Sequence, residues 1–208
     1  INRSTSPFIA PRFISGVGFG AVNLVNGLYG GVTSGVIALI PLYASNRYGI
    51  SALGSGTLLI AQGIAAIILS IVGAFTLRRT GYRPPLYIGS VVIATGMLLL
   101  AVSPLAGIPP YVWLAGSAFL IGLGRGANNP ASRNAGLQLA PEHASTLAAL
   151  RTMCMAIGTI VTISVDTAIL ASSQDPGHIQ AWVFAVTAAL FVAALPLISR
   201  VPEHRGWW

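Results

Sequence analysis

The sequence predicts an all-α, polytopic membrane protein with six transmembrane helices. Of its 208 residues, 54% are apolar and 7% are charged, whereas soluble domains carry about 25% charged residues. A membrane-crossing helix needs roughly 20 apolar residues, so a chain of this length has room for about six helices with their loops. Six apolar runs are present, at about residues 14–43, 52–77, 85–102, 111–137, 144–171 and 179–199.

Turn-forming and helix-stopping residues separate these runs in order. The interruptions fall at residues 46–49, 78–85, 103–110, 141–143 and 174–177, and each contains Gly or Pro, which end helices. Each run is also two to three times too long for a strand of an outer-membrane barrel. We therefore expect a single six-helix bundle over residues 1–208, with one three-helix repeat at about 12–104 and a second at about 109–200.

The arginines predict the orientation of the bundle. Outside the runs or at their ends, eight arginines fall on one side and Arg47 alone on the other. The positive-inside rule then places both termini, including a tail at residues 201–208, in the cytoplasm of a plasma (inner) membrane. The net charge of +7 is spread thinly between apolar runs, which fits loops at an anionic lipid leaflet better than a nucleic-acid partner. The eight arginines are Arg3, Arg12, Arg78, Arg79, Arg83, Arg133, Arg200 and Arg205.

Polar side chains inside the runs are the candidates for a substrate or ion pathway, because such groups are costly against lipid and face a bundle interior or a wet cavity. Asn23, Asn26 and Thr33 share one face of the first helix at helical spacing. Arg125 lies near the predicted membrane midplane, out of easy reach of the interface. The full candidate set is Asn23, Asn26, Thr33, Gln62, Arg125, Asn129 and Arg151.

Structural interpretations compete with this pathway. Asn and Thr on a Gly-rich helix also act as interhelical hydrogen-bond glue, and Arg133 is close enough to a helix end to extend to the interface. Asp166 lies far along the fifth helix, so we expect a boundary residue there rather than a buried proton carrier or an Arg125 partner. The glycines of the first and fourth helices either mark a substrate path or permit close packing.

Several membrane-protein classes are excluded by missing residues. No G-x-S-x-G motif or intrahelical His is present for a serine protease, and no H-E-x-x-H for a metalloprotease. We expect no enzyme, metal site or cofactor. The lone Cys154 supports no internal disulfide. A selectivity-filter loop is also missing, although an oligomeric six-helix channel or a non-transporting scaffold stays open beside a transporter.

Three groups of residues form recognisable motifs: Pro41-Leu42-Tyr43 with Leu53 and Gly56, Gly122 to Gly126 with Pro130, and Ala148 to Met153 with Gly158. Together they resemble the C-terminal half of a major facilitator superfamily permease, most of all its drug:proton antiporter branch. The loop Arg78-Arg79-Thr80-Gly81-Tyr82-Arg83 resembles the superfamily signature G-x-x-x-D-R-x-G-R-R. Aligned on Gly81, Arg79 and Arg83 match family arginines, while Arg78 replaces the acid.

The resemblance implies two inverted three-helix repeats and proton-coupled transport of a small organic solute by alternating access. It implies a conformational role for Arg78, Arg79, Gly81 and Arg83. A complete permease of this family has at least twelve helices. We therefore expect the chain, which begins with Ile1, to be a fragment whose partners are a missing N-terminal six-helix half, the lipid bilayer, the solute and protons.

Overall fold

The computed structural model describes residues 10–203 and is helical throughout that range, without strands. A short helix, α1 (Pro11–Ser15), precedes six long helical segments. The first consists of α2 (Phe19–Val25), a π-helical segment (Asn26–Val32) and α3 (Thr33–Tyr48) in unbroken succession. The others are α4 (Ala52–Thr80), α5 (Arg83–Ala101), α6 (Pro110–Leu137), α7 (Ala144–Ala171) and α8 (Pro176–Ala193). The predicted all-α class is confirmed.

Several helix ends differ from the predicted runs, most clearly in the first and last segments. The first run starts before the long helix does, because Gly18 adopts a φ of 82° and separates α1 from α2. The last helix begins earlier than predicted, at Pro176, where the Asp175 side chain accepts a hydrogen bond from the His178 amide at 3.0 Å. It ends at Ala193 and gives way to a 3-10 turn, Leu195–Arg200, which contains Pro196.

Five of the long segments have the length and apolar composition to cross a membrane: Phe19–Tyr48, Ala52–Leu77, Arg83–Ala101, Pro141–Ala171 and Pro176–Arg200. The sixth, α6, has 28 residues, which is long enough to span, but its second half is rich in Arg, Asn and Gly. A spanning helix of this composition has to be shielded from lipid by its neighbours. It is the helix that packs most extensively against α4 and α5.

The six segments alternate in direction. At one end, Glu203 accepts a hydrogen bond from the Tyr82 amide, so the residues after α8 meet the α4–α5 loop. At the other end, Arg47 donates to the Gly177 carbonyl and to Ser103 Oγ, which joins the end of α3 to the first turn of α8 and to the loop after α5. We call the end of the bundle at which Glu203 meets the α4–α5 loop the basic end, because it carries Arg79, Arg83 and Arg200. The predicted residues Arg3 and Arg205 and the side chain of Arg78 lie outside the described part of the chain.

Glycines bring the helices of the bundle into close contact. A Cβ atom at Gly31 or Gly158 would collide with backbone, because these residues lie where the π-helical segment crosses α7. Two glycines of α6 make similar contacts. A Cβ atom at Gly122 would collide with the Gln62 carbonyl of α4, and one at Gly124 would collide with the Gly89 carbonyl of α5. The packing interpretation of the glycine stripes therefore holds at these positions.

Aromatic side chains fill the centre of the bundle. Tyr29 packs edge-on against Phe191, with ring centroids 4.9 Å apart, and its hydroxyl donates to the Phe191 carbonyl at 2.9 Å. Tyr43 is also fully buried and donates to the Leu100 carbonyl. By contrast, α4 and α7 expose many large apolar side chains, among them Ile67 and Ile160. These surfaces suit lipid or another apolar helical bundle.

Candidate functional site

A polar cavity of about 260 Å³ lies near the basic end, between the first helical segment, α6 and α7. It brings together four of the seven candidate pathway residues, which the sequence places on three separate helices. Arg133 and Thr152 also line it. The predicted four are Asn23, Asn26, Asn129 and Arg151.

Arg151 links the three walls of this cavity. Its Nε donates to Asn26 Oδ1 at 3.1 Å, and its Nη2 donates to Asn129 Oδ1 at 2.6 Å. The planar guanidinium group presents several donors in fixed directions, which allows one side chain to hold two amides on different helices. The Asn26 amide also donates to the Val22 carbonyl of its own helix at 2.9 Å, which fixes its oxygen toward Arg151.

The Asn26 side chain emerges from the first residue of the π-helical segment. Such segments are rare, and they occur frequently at functional sites because the wider turn re-aims side chains and frees backbone carbonyls. Here the Gly31 carbonyl accepts a hydrogen bond from Thr159 Oγ1 of α7 at 3.0 Å. The segment is thus anchored to the helix that carries Arg151.

Arg125 lines a second, smaller cavity of about 20 Å³, which shares Asn129 and Arg151 with the first. Its Cα is about 18 Å from the end of α6 at 1.5 Å per residue, so this cavity extends the polar region toward the middle of the bundle. Tyr29 and Met155 form part of its apolar wall. Within residues 10–203, the Arg125 side chain has no hydrogen-bond or ion-pair partner.

The two cavities carry an unbalanced positive charge. Arg125, Arg133 and Arg151 line them, and no Asp or Glu side chain of the described residues does. A guanidinium near the bilayer centre costs at least about 2.5 kcal/mol on insertion scales. The region therefore favours an anionic group, whether on a solute or on another polypeptide.

Three candidates take no part in the Arg151 contacts. The Asn23 side chain lines the larger cavity but also donates to the carbonyls of Phe13 and Ile14, at 2.9 and 3.2 Å, and so holds α1 against α2. Thr33 is fully buried and donates to the Tyr29 carbonyl within its own helix. Gln62 is buried where α4 crosses α6 and lines neither cavity.

The loop between α4 and α5 is tied to the last described residues. The Tyr82 amide donates to Glu203 Oε1 at 2.7 Å, and Arg83 Nε donates to the Val201 carbonyl at 2.9 Å and lies 3.8 Å from Glu203 Oε2. Burial, with the nearby Glu203 carboxylate, raises the pKa of Tyr82 to about 12. Gly81 adopts a φ of 78°, which favours glycine. Arg79 is exposed.

The structure corrects one expectation. Asp166, predicted as a boundary residue, is fully buried and accepts a hydrogen bond from Gln180. It makes no ion pair with Arg125, as predicted. Arg133, predicted as an interface residue, is exposed near the end of α6 and also lines the larger cavity.

Asn128 serves a different purpose from its neighbour Asn129. With its amide in the orientation that satisfies both atoms, it donates to the carbonyls of Pro85 and Leu86 at 3.1 Å and accepts from Ser90 Oγ at 3.2 Å. It therefore joins α6 to α5. The adjacent Asn pair gives no signal in the sequence that separates the packing residue from the cavity residue.

Comparison with known proteins decides the family. The family description "Major Facilitator Superfamily" matches residues 4–163, well over half of the chain. The chain belongs to the major facilitator superfamily. Members of this superfamily are multi-pass membrane transporters rather than enzymes.

Solved transporters of the superfamily share this fold. The chain is similar to the inward-open xylose transporter XylE from E. coli, with a TM-score of 0.70 and 20% identity over 88% of this chain and 47% of that one. It is also similar to a POT family transporter in complex with a thioalcohol-conjugated peptide, with a TM-score of 0.72 and 21% identity over 93% of this chain and 40% of that one. The chain thus spans less than half the length of these superfamily members.

One curated protein is similar in sequence over a shorter stretch. The multidrug transporter protein MdtP of Bacillus subtilis (strain 168) is 36% identical over 66 residues, which make up 32% of this chain and 12% of that protein.

Proposed function

We propose that this chain is one six-helix half of a permease that exports a small organic solute in exchange for protons. The observation that carries the proposal is the arginine-lined cavity, in which Arg151 joins Asn26 and Asn129 from two other helices. A solute crosses a bundle of membrane helices through a polar, partly open cavity between them. The likeness to a multidrug transporter supports transport of an organic compound.

The rest of the permease supplies the other wall of the pathway in this proposal. Alternating access requires two bundles that rock against each other around a central site. The exposed apolar surfaces of α4 and α7 provide a face for such a partner bundle. The protein resides in the plasma membrane with both ends of the chain in the cytoplasm, as the arginine distribution favours.

In this proposal Arg125 pairs either with an anionic group of the solute or with an acid of the other half. It lies deepest of the three cavity arginines and has no partner among the described residues. An anionic group of the solute would pair with it directly. An acid contributed by the other half would pair with it instead, and protonation of that acid would then release the arginine and couple protons to movement.

The proposal is tested by solute efflux from proteoliposomes with an imposed proton gradient, using one anionic and one cationic dye as probes. The Arg125→Leu permease should insert at the wild-type level and lose export by at least tenfold. Arg200→Leu, which removes an exposed arginine at the basic end, is the control and should export normally. Normal export by Arg125→Leu contradicts the proposal, and flux that ignores the proton gradient indicates a channel instead.

A further inference from the structure

A buried acid lies at the opposite end of the bundle from the arginine cavity. Asp166 of α7 and Gln180 of α8 are both fully buried. Gln180 Nε2 donates to Asp166 Oδ2 at 3.2 Å and to the Leu39 carbonyl of α3 at 3.3 Å. Three helices therefore meet at one acid–amide contact, about one helical turn from the end of α7.

Two oxygens of this contact are buried without a hydrogen-bond partner: Asp166 Oδ1 and Gln180 Oε1. The orientation of the Gln180 amide is fixed, because each of its two N–H groups faces an acceptor, Asp166 Oδ2 and the Leu39 carbonyl. Its oxygen is thus the atom that needs a donor. An ionised Asp166 has none to offer, and leaving both oxygens unsatisfied in a buried site is costly.

No charged side chain among the described residues forms an ion pair with Asp166. Arg47, the one charged side chain of α3, is engaged with Gly177 and Ser103, and His178 of α8 accepts from Trp182. Tyr43 of α3 donates to the Leu100 carbonyl. Arg151, the one basic residue of α7, is about 22 Å away along the helix. A buried carboxyl without a counter-charge prefers its neutral form.

We infer that Asp166 and Gln180 form a proton-binding site, in which Asp166 carries a proton at neutral pH and donates it to Gln180 Oε1. A carboxylic acid and a primary amide then satisfy each other through two hydrogen bonds: O–H of Asp166 to the amide oxygen, and N–H of Gln180 to the acid oxygen. The second amide hydrogen remains for the Leu39 carbonyl. With this one proton, every polar atom of the contact has a partner.

The proton is linked to the packing of α3, α7 and α8 at this end. Water that enters between these helices can hydrate both Asp166 and Gln180, which removes the penalty on the ionised acid and releases the proton. The site would thus bind a proton when the helices are closed there and lose it when they part. This inference does not depend on the identity of the solute or on the arginine cavity.

Infrared spectroscopy of the purified protein in an ester-free alkyl glycoside detergent tests the inference. A neutral carboxyl has a C=O stretching band well separated from the carboxylate bands, and no lipid ester absorbs there in this detergent. The wild type at neutral pH should show this band, and Asp166→Asn should lose it. Asp175→Asn, which removes the exposed acid of the neighbouring loop, is the control and should keep it. Asn is a suitable replacement because its amide can make the same two hydrogen bonds with Gln180.

A second variant tests the assignment of the band to Asp166 even if little Asp166→Asn protein can be purified. Gln180→Leu removes the acceptor of the proton, so the band should persist but shift to higher wavenumber. A wild-type spectrum without a neutral-carboxyl band at neutral pH overturns the inference. A band that survives Asp166→Asn, or that stays in place in Gln180→Leu, overturns it as well.

Discussion

Arg151 of α7 donates to Asn129 of α6 at 2.6 Å while its Nε holds Asn26 of the π-helical segment at 3.1 Å. One side chain thus sets the spacing of the three helices around the larger cavity. The same two hydrogen bonds explain how a charged residue is kept within a membrane bundle. If the cavity is the solute pathway, Arg151 is also the residue whose partners change when the pathway opens or closes.

Replacement of Arg151 by Lys should reduce transport by at least tenfold at unchanged membrane levels. Lysine keeps the charge but cannot present two donors in the fixed directions of a guanidinium, so one of the two amides loses its partner. Initial rates of dye efflux, normalised to the amount of inserted protein, measure the effect. Arg200→Lys, on an exposed turn, is the matched control; equal rates for the two variants would show that the double contact is dispensable.

Gly158→Ala should destabilise the bundle, because the added methyl group would meet the Gly27 carbonyl and the Gly31 Cα across the helix contact. Forcing extra atoms into such a contact costs about 1 to 3 kcal/mol, more than the roughly 1 kcal/mol that alanine gains as a helix former. The thermal midpoint in detergent should therefore fall.

Gly116→Ala provides the comparison for this variant. Gly116 also lies within a helix, but nothing is within 4 Å of a Cβ atom placed there. Its thermal midpoint should stay the same or rise. A Gly158→Ala protein as stable as Gly116→Ala would mean that α7 and the π-helical segment do not pack this closely.

Glu203→Gln should loosen the attachment of the chain end to the α4–α5 loop. The carboxylate accepts from the Tyr82 amide and faces Arg83, and a partly exposed ion pair of this kind is worth about 1 kcal/mol or less. We expect the Tyr82 amide to exchange with solvent about fivefold faster, by hydrogen-exchange mass spectrometry. The control Glu142→Gln, at an exposed position, should leave the exchange rate of the Tyr82 amide unchanged. An unchanged rate in Glu203→Gln would contradict the attachment of the chain end to the loop through Glu203.

The alternation of the helices predicts opposite sides for two loops. Reporter fusions placed after Arg83 and after Gly177 should report the cytoplasm and the exterior, respectively, because eight arginines favour the first side and Arg47 alone lies on the second. Alkaline phosphatase and green fluorescent protein fusions give complementary signals for each site. Equal sidedness for the two fusions is incompatible with six crossings.

The sequence allowed the helices and the cavity residues to be predicted, but not the grouping of those residues. Hydrophobic runs and turn residues identify helices directly, and a polar side chain in a membrane run is conspicuous. Which of them meet depends on helix rotation: Asn26 and Asn129 reach Arg151, whereas Gln62 lies at the α4–α6 contact.

Asp166 shows that the position of a residue along a membrane helix does not by itself predict its burial. Its distance along α7 correctly places it near one end of the helix, but says nothing about whether α3 and α8 cover it. Burial follows from the tertiary contacts with Gln180 and Leu39, which no local pattern encodes. Arg133 differs, because its exposed position near the end of α6 is compatible with both the predicted interface and the cavity.

The most direct test of the solute pathway is cysteine protection at Thr152, which lines the larger cavity but takes no part in the Arg151 contacts, in a permease whose Cys154 has been replaced by Ser. A charged, membrane-impermeant thiol reagent should label Thr152→Cys, and an excess of a transported dye should slow that labelling. Ile67→Cys, on the exposed apolar face of α4, is the control and should resist the reagent with or without dye. Labelling of Thr152→Cys at the same rate in the presence of a dye that the protein transports would contradict the account.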